Sequence, residues 1–173
     1  MEGYWRSLAD RGGPFADKGG HLFARVRATA LRLGGSEMCA GHGRYGCGQV
    51  LLGDGRTVAV DWDTYRVVDP SCDVARAPVD LKRLGLKHFA SIRALDAVAD
   101  VFLKAYTAAG RMVVATHLAF QKAALCLERA TRDLEKDARA WAEAMLDEGL
   151  RILKVAMFYM ATDCSEWVVS LLT

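Results

Sequence analysis

Two short apolar runs near residue 50 constrain the fold more than any other part of the chain. Val50-Leu51-Leu52 and Thr57-Val58-Ala59-Val60 are both β-prone, and Gly53-Asp54-Gly55-Arg56 joins them. A Gly-Asp-Gly link between two apolar runs is typical of a tight β-hairpin. Because a lone two-stranded hairpin is only marginally stable in water, it must pack against other elements. The sequence therefore predicts a small hairpin supported by neighbouring helices.

The remainder of the chain is helical in pattern. After about residue 72 the apolar residues recur at helical spacing, and the predicted helices cover about 73–84, 92–109, 115–135 and a long stretch from 138 onward. A further helix is predicted over 21–33, ended by Gly34-Gly35. Residues 1–20 are rich in glycine and contain Pro14, so we predict a loop or a disordered entry there. The fold class predicted is mainly α with a small β-hairpin.

Composition excludes several classes of protein. The 173 residues suit one domain or one lobe of a larger enzyme, and 52% are hydrophobic, which is enough to build a core. Lysine and arginine number 23 against 21 acidic residues and form no separate block, so neither nucleic acid nor an anionic membrane is indicated as a partner.

Asp163 and Glu166 interrupt the most apolar window, which makes it a poor membrane span. The five cysteines are scattered and fit reduced thiols. We expect a soluble cytoplasmic protein.

Polar residues gather at the open end of the predicted hairpin. Gln49 opens the first strand, Asp61-Trp62-Asp63 comes after the second, and a glycine-dense loop containing His42-Gly43-Arg44 comes just before. A hairpin brings its two outer ends together, so we expect Gln49 and Asp61 to be near neighbours. Oxygen ligands arranged in this way are how kinase-type sites hold Mg²⁺ and orient a hydroxyl group.

Three motifs in this region resemble those of the aminoglycoside phosphotransferase and choline-kinase-like family. The loop His42-Gly43-Arg44 with Gln49 and the apolar run after it is similar to the family's catalytic loop, which reads His-Gly-Asp, four variable residues and then Asn. Val60-Asp61-Trp62 is similar to the family's metal-binding strand, and Asp69-Pro70 through Asp73 to its Asp-Pro-x-x-Asp segment. The motifs occur in the family's order, over about residues 38–76. The resemblance implies the carboxyl-terminal lobe of a kinase-like fold, covering residues 21–153, with residues 154–173 as an extension of uncertain structure.

The resemblance also implies roles for individual residues. Asp61 would hold the metal that bridges the nucleotide phosphates, Gln49 would be a second ligand and Asp63 a less certain third. His42 would brace the loop, and Asp73, together with Asp69, would support it from the next helix. Mg²⁺ and ATP would be the cofactors, although binding of either by this chain is in doubt. The substrate would be a small molecule bearing a hydroxyl or amine.

The family also uses acidic residues on its helical lobe to hold cationic substrates. Asp147 and Glu148 are weak candidates for that role. A solvent-facing helical surface is the ordinary alternative for acids in such a position.

The chain departs from the family where the reaction occurs. Arg44 stands at the position of the catalytic aspartate, and a guanidinium has no lone pair with which to accept a proton. It also brings positive charge to a site meant for a metal ion, so we expect Arg44 to pair with Asp61 and phosphotransfer to be impaired. Only about 40 residues precede the loop, and their pattern does not match the family's nucleotide-binding lobe. This predicts a truncated lobe that would bind a missing lobe or a protein partner.

Other interpretations remain open. The chain could be a non-catalytic helical interaction module or a pseudokinase-like lobe. Gly41-x-Gly43-x-x-Gly46 formally fits a phosphate-binding glycine loop, but a strand comes after it where a helix is needed. Without the resemblance, Asp61 and Asp63 would be read as carboxylates facing water at the end of a strand.

Overall fold

A computed structural model describes residues 2–10, 12–110 and 115–161 of the protein, with only the backbone of 157–161. It is mainly helical with a small antiparallel β region, which confirms the predicted fold class at that level. The helices are α1 Glu2–Ala9, α2 Gly13–Ala30, α3 Ser71–Val74, α4 Arg76–Phe89, α5 Asp96–Ala108, α6 Ala115–Glu135 and α7 Arg139–Ala161. The strands are β1 Cys39–Gly41, β2 Val50–Gly53, β3 Arg56–Ala59 and β4 Arg66–Val68.

The chain divides into two compact units. One unit combines the two ends of the chain, Met1–Leu33 with Ala115–Thr173, and its described elements are α1, α2, α6 and α7. The other unit is the continuous segment Gly34–Val114, which contains the four strands and α3, α4 and α5. The predicted lobe boundary at residue 21 therefore does not coincide with a boundary between the two units.

The helical unit has an aliphatic core. Helices α6 and α7 pack along each other, and α1 and α2 pack on them. The side chains that fill the interior are fully buried and come from all four helices; they include Leu8, Leu22, Leu127, Leu146 and Leu153. These residues recur on one stripe of each helix. Because of this spacing, the sequence predicted the starts of α6 and α7 to within one residue of where the structure has them.

The loop predicted for residues 1–20 is wrong, because α1 and the start of α2 occupy this segment. Pro14 lies in the first turn of α2, where its missing N–H costs nothing. Gly19 and Gly20 are needed for close packing: a β-carbon at Gly19 would lie 2.8 Å from Leu8 and one at Gly20 would lie 2.8 Å from Trp5. Glycines that resemble loop residues in the sequence thus allow α1 to approach α2.

A third close approach in the helical unit gives a stability prediction. A β-carbon at Gly149 would lie 2.8 Å from Leu22 and 3.1 Å from the β-carbon of Cys126. We expect Gly149→Val to lower the free energy of unfolding by about 1–3 kcal/mol, as overpacking of a filled core does. Gly3 has open space around it and is the control. Chemical denaturation measures both, and an equal loss for Gly3→Val would contradict the packing explanation.

The unit formed by Gly34–Val114 contains two nested antiparallel pairs. β2 pairs with β3 in the register Val50↔Ala59 through Gly53↔Arg56, and β1 pairs with β4 in the register Cys39↔Val68 through Gly41↔Arg66. The turn of the inner hairpin has positive φ at Asp54 (52°) and Gly55 (69°), as a two-residue turn of this type requires. The hairpin is therefore confirmed, whereas the three-residue strands β1 and β4 lie where the sequence indicates loop.

The helices of this unit come directly after β4. α3 and α4 continue from the Asp69-Pro70 segment, and α5 packs on α4. Lys82 of α4 is 7% exposed and pairs with Asp96 at the start of α5 at 2.7 Å. Within the described residues, no helix is long and apolar enough to cross a membrane. Of the predicted carboxyl-terminal extension, residues 154–161 continue α7, and 162–173 lie outside the described part of the chain.

Candidate functional site

The open end of the hairpin brings the predicted polar residues together through the backbone. The N–H of Val60 donates to the carbonyl oxygen of Gln49 at 2.9 Å, immediately before Asp61. The expected proximity of Gln49 and Asp61 along the two strands is therefore confirmed at the level of the backbone. Asp61 has φ 68° and ψ 49°, a left-handed conformation that aspartate tolerates better than most residues and that often marks functional positions.

His42 connects the loop to the same strand end. Its side chain is 3% exposed, and its Nε2 lies 2.8 Å from the carbonyl oxygen of Val60. Because a carbonyl oxygen only accepts, Nε2 carries the proton in this contact. The Nδ1 atom is buried and has no hydrogen-bond partner among the described residues. The imidazole ring lies 4.7 Å from the ring of Trp62 and 6.0 Å from that of Tyr45. His42 is thus a buried structural tie rather than a group facing a substrate.

Asp73 holds the loop on both sides of Arg44. One carboxylate oxygen accepts from the N–H of Gly43 and the other from the N–H of Tyr45, both at 3.1 Å. Hydrogen bonds to an ionised acceptor are stronger than neutral ones. A single side chain, about thirty positions away in the sequence, therefore fixes the backbone of the residue before Arg44 and of the residue after it.

Asp69 supports the start of the next helix. One of its carboxylate oxygens accepts from the N–H of Ser71 at 2.8 Å and from the Ser71 hydroxyl at 2.6 Å. Satisfying an N–H in the first turn of a helix stabilises its start. Asp69 therefore orders α3, which carries Asp73.

Arg44 itself takes no part in these hydrogen bonds through its side chain. Its side chain is exposed and makes no hydrogen bond or ion pair with any residue that the structure describes. The pairing with Asp61 that we predicted is therefore wrong for the described structure. Asp61 and Asp63 are also exposed, with no side-chain partner in the described ranges. The side chain of Gln49 is partly buried and its amide oxygen lies beside Gly46.

The described residues offer no divalent-cation site built from protein ligands alone. No group of three or more His, Cys, Asp or Glu side chains capable of holding a metal occurs among them. Asp61 and Asp63 offer two exposed carboxylates. Mg²⁺ at phosphate-binding sites is usually held by one or two carboxylates together with substrate phosphates and water, so these two residues would need the phosphates to complete the coordination.

The remaining predicted site residues lie in the helical unit and have structural partners there. Asp147 pairs with Lys18 at 2.8 Å, and Glu143 pairs with the same ammonium at 3.0 Å. The hydrogen bond that Lys18 donates to Asp147 is the main reason that the pKa of Lys18 is raised. Glu148 is 4% exposed and accepts two bonds of 2.7 Å from Arg151. Such ion pairs are expected of residues that stabilise the fold. None of these contacts presents Asp147 or Glu148 to a substrate.

Two further features near the loop are poorly suited to chemistry. Burial raises the pKa of the Cys47 thiol, and the charge of Asp80 adds to the effect. The thiol is therefore protonated at neutral pH and is a poor nucleophile. A shallow concavity of about 420 Å³ lies against the hairpin and is lined by Leu51, Leu52 and Val58, among others. It includes the turn of the hairpin, at the opposite end from Gln49 and Asp61.

Gly43 allows the loop to take its shape and gives a direct test of it. Its φ is +79°, and a β-carbon there would overlap the carbonyl oxygen of Thr64, whose hydroxyl bonds to the carbonyl of His42. We expect Gly43→Ala to lower the free energy of unfolding by more than the roughly 1–3 kcal/mol that strained backbone alone costs. Gly55 has a similar φ of +69° in open space, so Gly55→Ala isolates the backbone cost. Chemical denaturation compares the two, and equal losses would show that the contact with Thr64 is unimportant.

Comparisons with known proteins identify no relative. No protein family, no curated protein and no solved structure matches this chain.

Proposed function

We propose that Gly34–Val114 carries the catalytic-loop region of an ATP-dependent phosphotransferase of the aminoglycoside phosphotransferase type, and that Arg44 leaves this chain impaired in phosphotransfer. The observation that carries the proposal is the clamp of Asp73 on both neighbours of Arg44. A loop held so firmly at one position indicates that the side chain at that position has to be presented in a fixed place. The order of the three sequence motifs supports the same assignment.

The geometry around the clamp supports this proposal. The hairpin ends lie together, His42 ties the loop to the strand that leads into Asp61, and Asp61 has the left-handed backbone typical of functional positions. An aspartate at position 44 would then supply a proton acceptor in the loop that His42 ties to the strand leading into Asp61. General-base or orienting help of this kind contributes about 10²–10⁴-fold to a rate. Arg44 cannot supply it, since guanidinium does not deprotonate in proteins.

A second candidate function rests on a different observation. Three apolar residues of the hairpin are largely exposed: Leu51 at 56%, Leu52 at 79% and Val58 at 49%. Apolar side chains grouped on one small element suit an interaction surface. A non-catalytic interaction module or pseudokinase-like lobe is therefore the alternative, in which the hairpin meets a missing lobe or another protein.

Thermal unfolding separates these functions. We expect the Arg44→Asp variant to melt at a higher temperature in Mg²⁺-ATP than in buffer, because a ligand that binds only the folded state stabilises it by about 2.7 kcal/mol at about one hundred times its dissociation constant. Arg93→Asp makes the same charge change at an exposed residue away from the loop. If neither variant responds to Mg²⁺-ATP, the phosphotransferase assignment fails and the interaction module is favoured.

A further inference from the structure

Arg66 lies close to the loop that carries Arg44. Arg66 lies in β4 opposite Gly41, and its Nε is 3.3 Å from where a β-carbon on Gly43 would be. The Arg66 side chain therefore lies against the residue directly before Arg44. Both arginines are exposed, and neither forms a hydrogen bond or an ion pair within the part of the chain that the structure describes.

The loop backbone cannot neutralise these arginines. The two N–H groups that flank Arg44 already donate to Asp73, so that carboxylate is committed to the loop. Guanidinium groups match phosphate by donating two parallel bonds, so positive charges that have no partner among the described residues are available to an anion.

We infer that Arg44 and Arg66 form a phosphate-binding pair that takes a polyphosphate without a metal ion. The inference rests on the proposed function, since it concerns the same loop. It adds that the two arginines supply the positive charge that a metal ion would otherwise bring to the phosphates. Asp61 and Asp63 are exposed carboxylates at the same end of the hairpin. They oppose an anion, so they limit its affinity.

The chemistry recognised is that of the phosphate chain, which a nucleoside triphosphate or an inorganic polyphosphate can supply. Inorganic tripolyphosphate is the probe for the arginine pair alone, and ATP tests whether a nucleoside adds affinity. Both are titrated by calorimetry in EDTA and again in excess Mg²⁺. A pair of arginines at a water-exposed site is screened by salt, so the affinity should also fall as the ionic strength rises.

We expect tripolyphosphate to bind in EDTA, and Mg²⁺ to weaken the binding. Arg44→Gln and Arg66→Gln should each weaken it about tenfold or more, as the loss of a charge-assisted hydrogen bond does. Arg93→Gln should have no effect. Arg44→Lys keeps the charge but loses the paired donors, so its affinity for tripolyphosphate should lie between that of the natural chain and that of Arg44→Gln. This variant still tests the inference if a glutamine variant folds poorly. Asp61→Asn should strengthen binding in EDTA.

Two results would overturn the inference. One is binding of tripolyphosphate that requires Mg²⁺ in the natural sequence. The other is equal affinity in EDTA for the natural chain, Arg44→Gln and Arg66→Gln, or no binding by any of them. Either result leaves the phosphotransferase assignment standing, because that assignment is judged on Arg44→Asp in Mg²⁺-ATP.

Discussion

Replacing Arg44 with aspartate is expected to raise ATP-dependent phosphotransfer by about 10²–10⁴-fold, the usual contribution of a positioned proton acceptor. Asp73 and His42 already hold the loop, so the backbone that carries the new carboxylate is fixed in position. It would also remove a positive charge from the loop. Release of phosphate from ATP to water is the first readout, because it requires no knowledge of the acceptor.

The acceptor screen then covers the classes that the resemblance implies, namely aminoglycosides, choline-like amines, sugars and amino-acid-like hydroxyl compounds. Arg93→Asp is the matched control, since it makes the same change of charge outside the loop. Equal rates for the natural chain and Arg44→Asp, with a folded protein in both cases, would show that Arg44 is not what limits the reaction.

Removing the Asp73 carboxylate is expected to destabilise this unit strongly. Asp73→Ala takes away the acceptor of two backbone N–H groups, and a hydrogen bond to a charged group contributes about 1.5–3 kcal/mol. We expect a loss of about 3 kcal/mol in the free energy of unfolding of the Gly34–Val114 unit, measured by chemical denaturation. Asp73→Asn keeps one acceptor oxygen in the same place and should lose roughly half as much.

The same position links stability to function. Introduced into the Arg44→Asp background, Asp73→Asn should lower kcat more than it raises KM for ATP, because it loosens the residue that presents the acceptor. Asp100→Asn is the control, as Asp100 is exposed on α5 and has no described partner. Unchanged unfolding and unchanged kcat for Asp73→Asn would show that the clamp has neither role.

The sequence predicted the parts of this fold that obey a local rule. The Asp54-Gly55 turn and the apolar runs around it specify a hairpin by themselves, and the helical stripes of α6 and α7 recur often enough to be read directly. The segment 1–20 was misread because Gly19 and Gly20 are there to let α1 approach α2, a reason that only the packed structure reveals. The strands β1 and β4 are three residues long, which is too short to show a period.

The site was partly predictable for a related reason. The motif order placed His42, Gln49, Asp61 and Asp73 in one region, and chain topology brings the first three together. The two bonds of Asp73 depend on where α3 points, which no spacing specifies. Arg66 was missed altogether, because its place beside Gly43 results from the pairing of β4 with β1. The expected pair of Arg44 with Asp61 failed since attraction between exposed charges is weak in water.

The way the two compact units share the chain has a consequence for how the protein folds. The Gly34–Val114 unit is continuous and can fold as soon as it has left the ribosome, while α1 and α2 wait for α6 and α7, which are made after that unit. Once the intervening unit has folded, the loop that remains to be closed is shorter and stiffer, which lowers the entropy cost of joining the two ends. Substitutions in the Gly34–Val114 unit that slow its folding should therefore also delay assembly of the helical unit. Until then, the apolar faces of α1 and α2 are exposed, and chains in this state can aggregate through them.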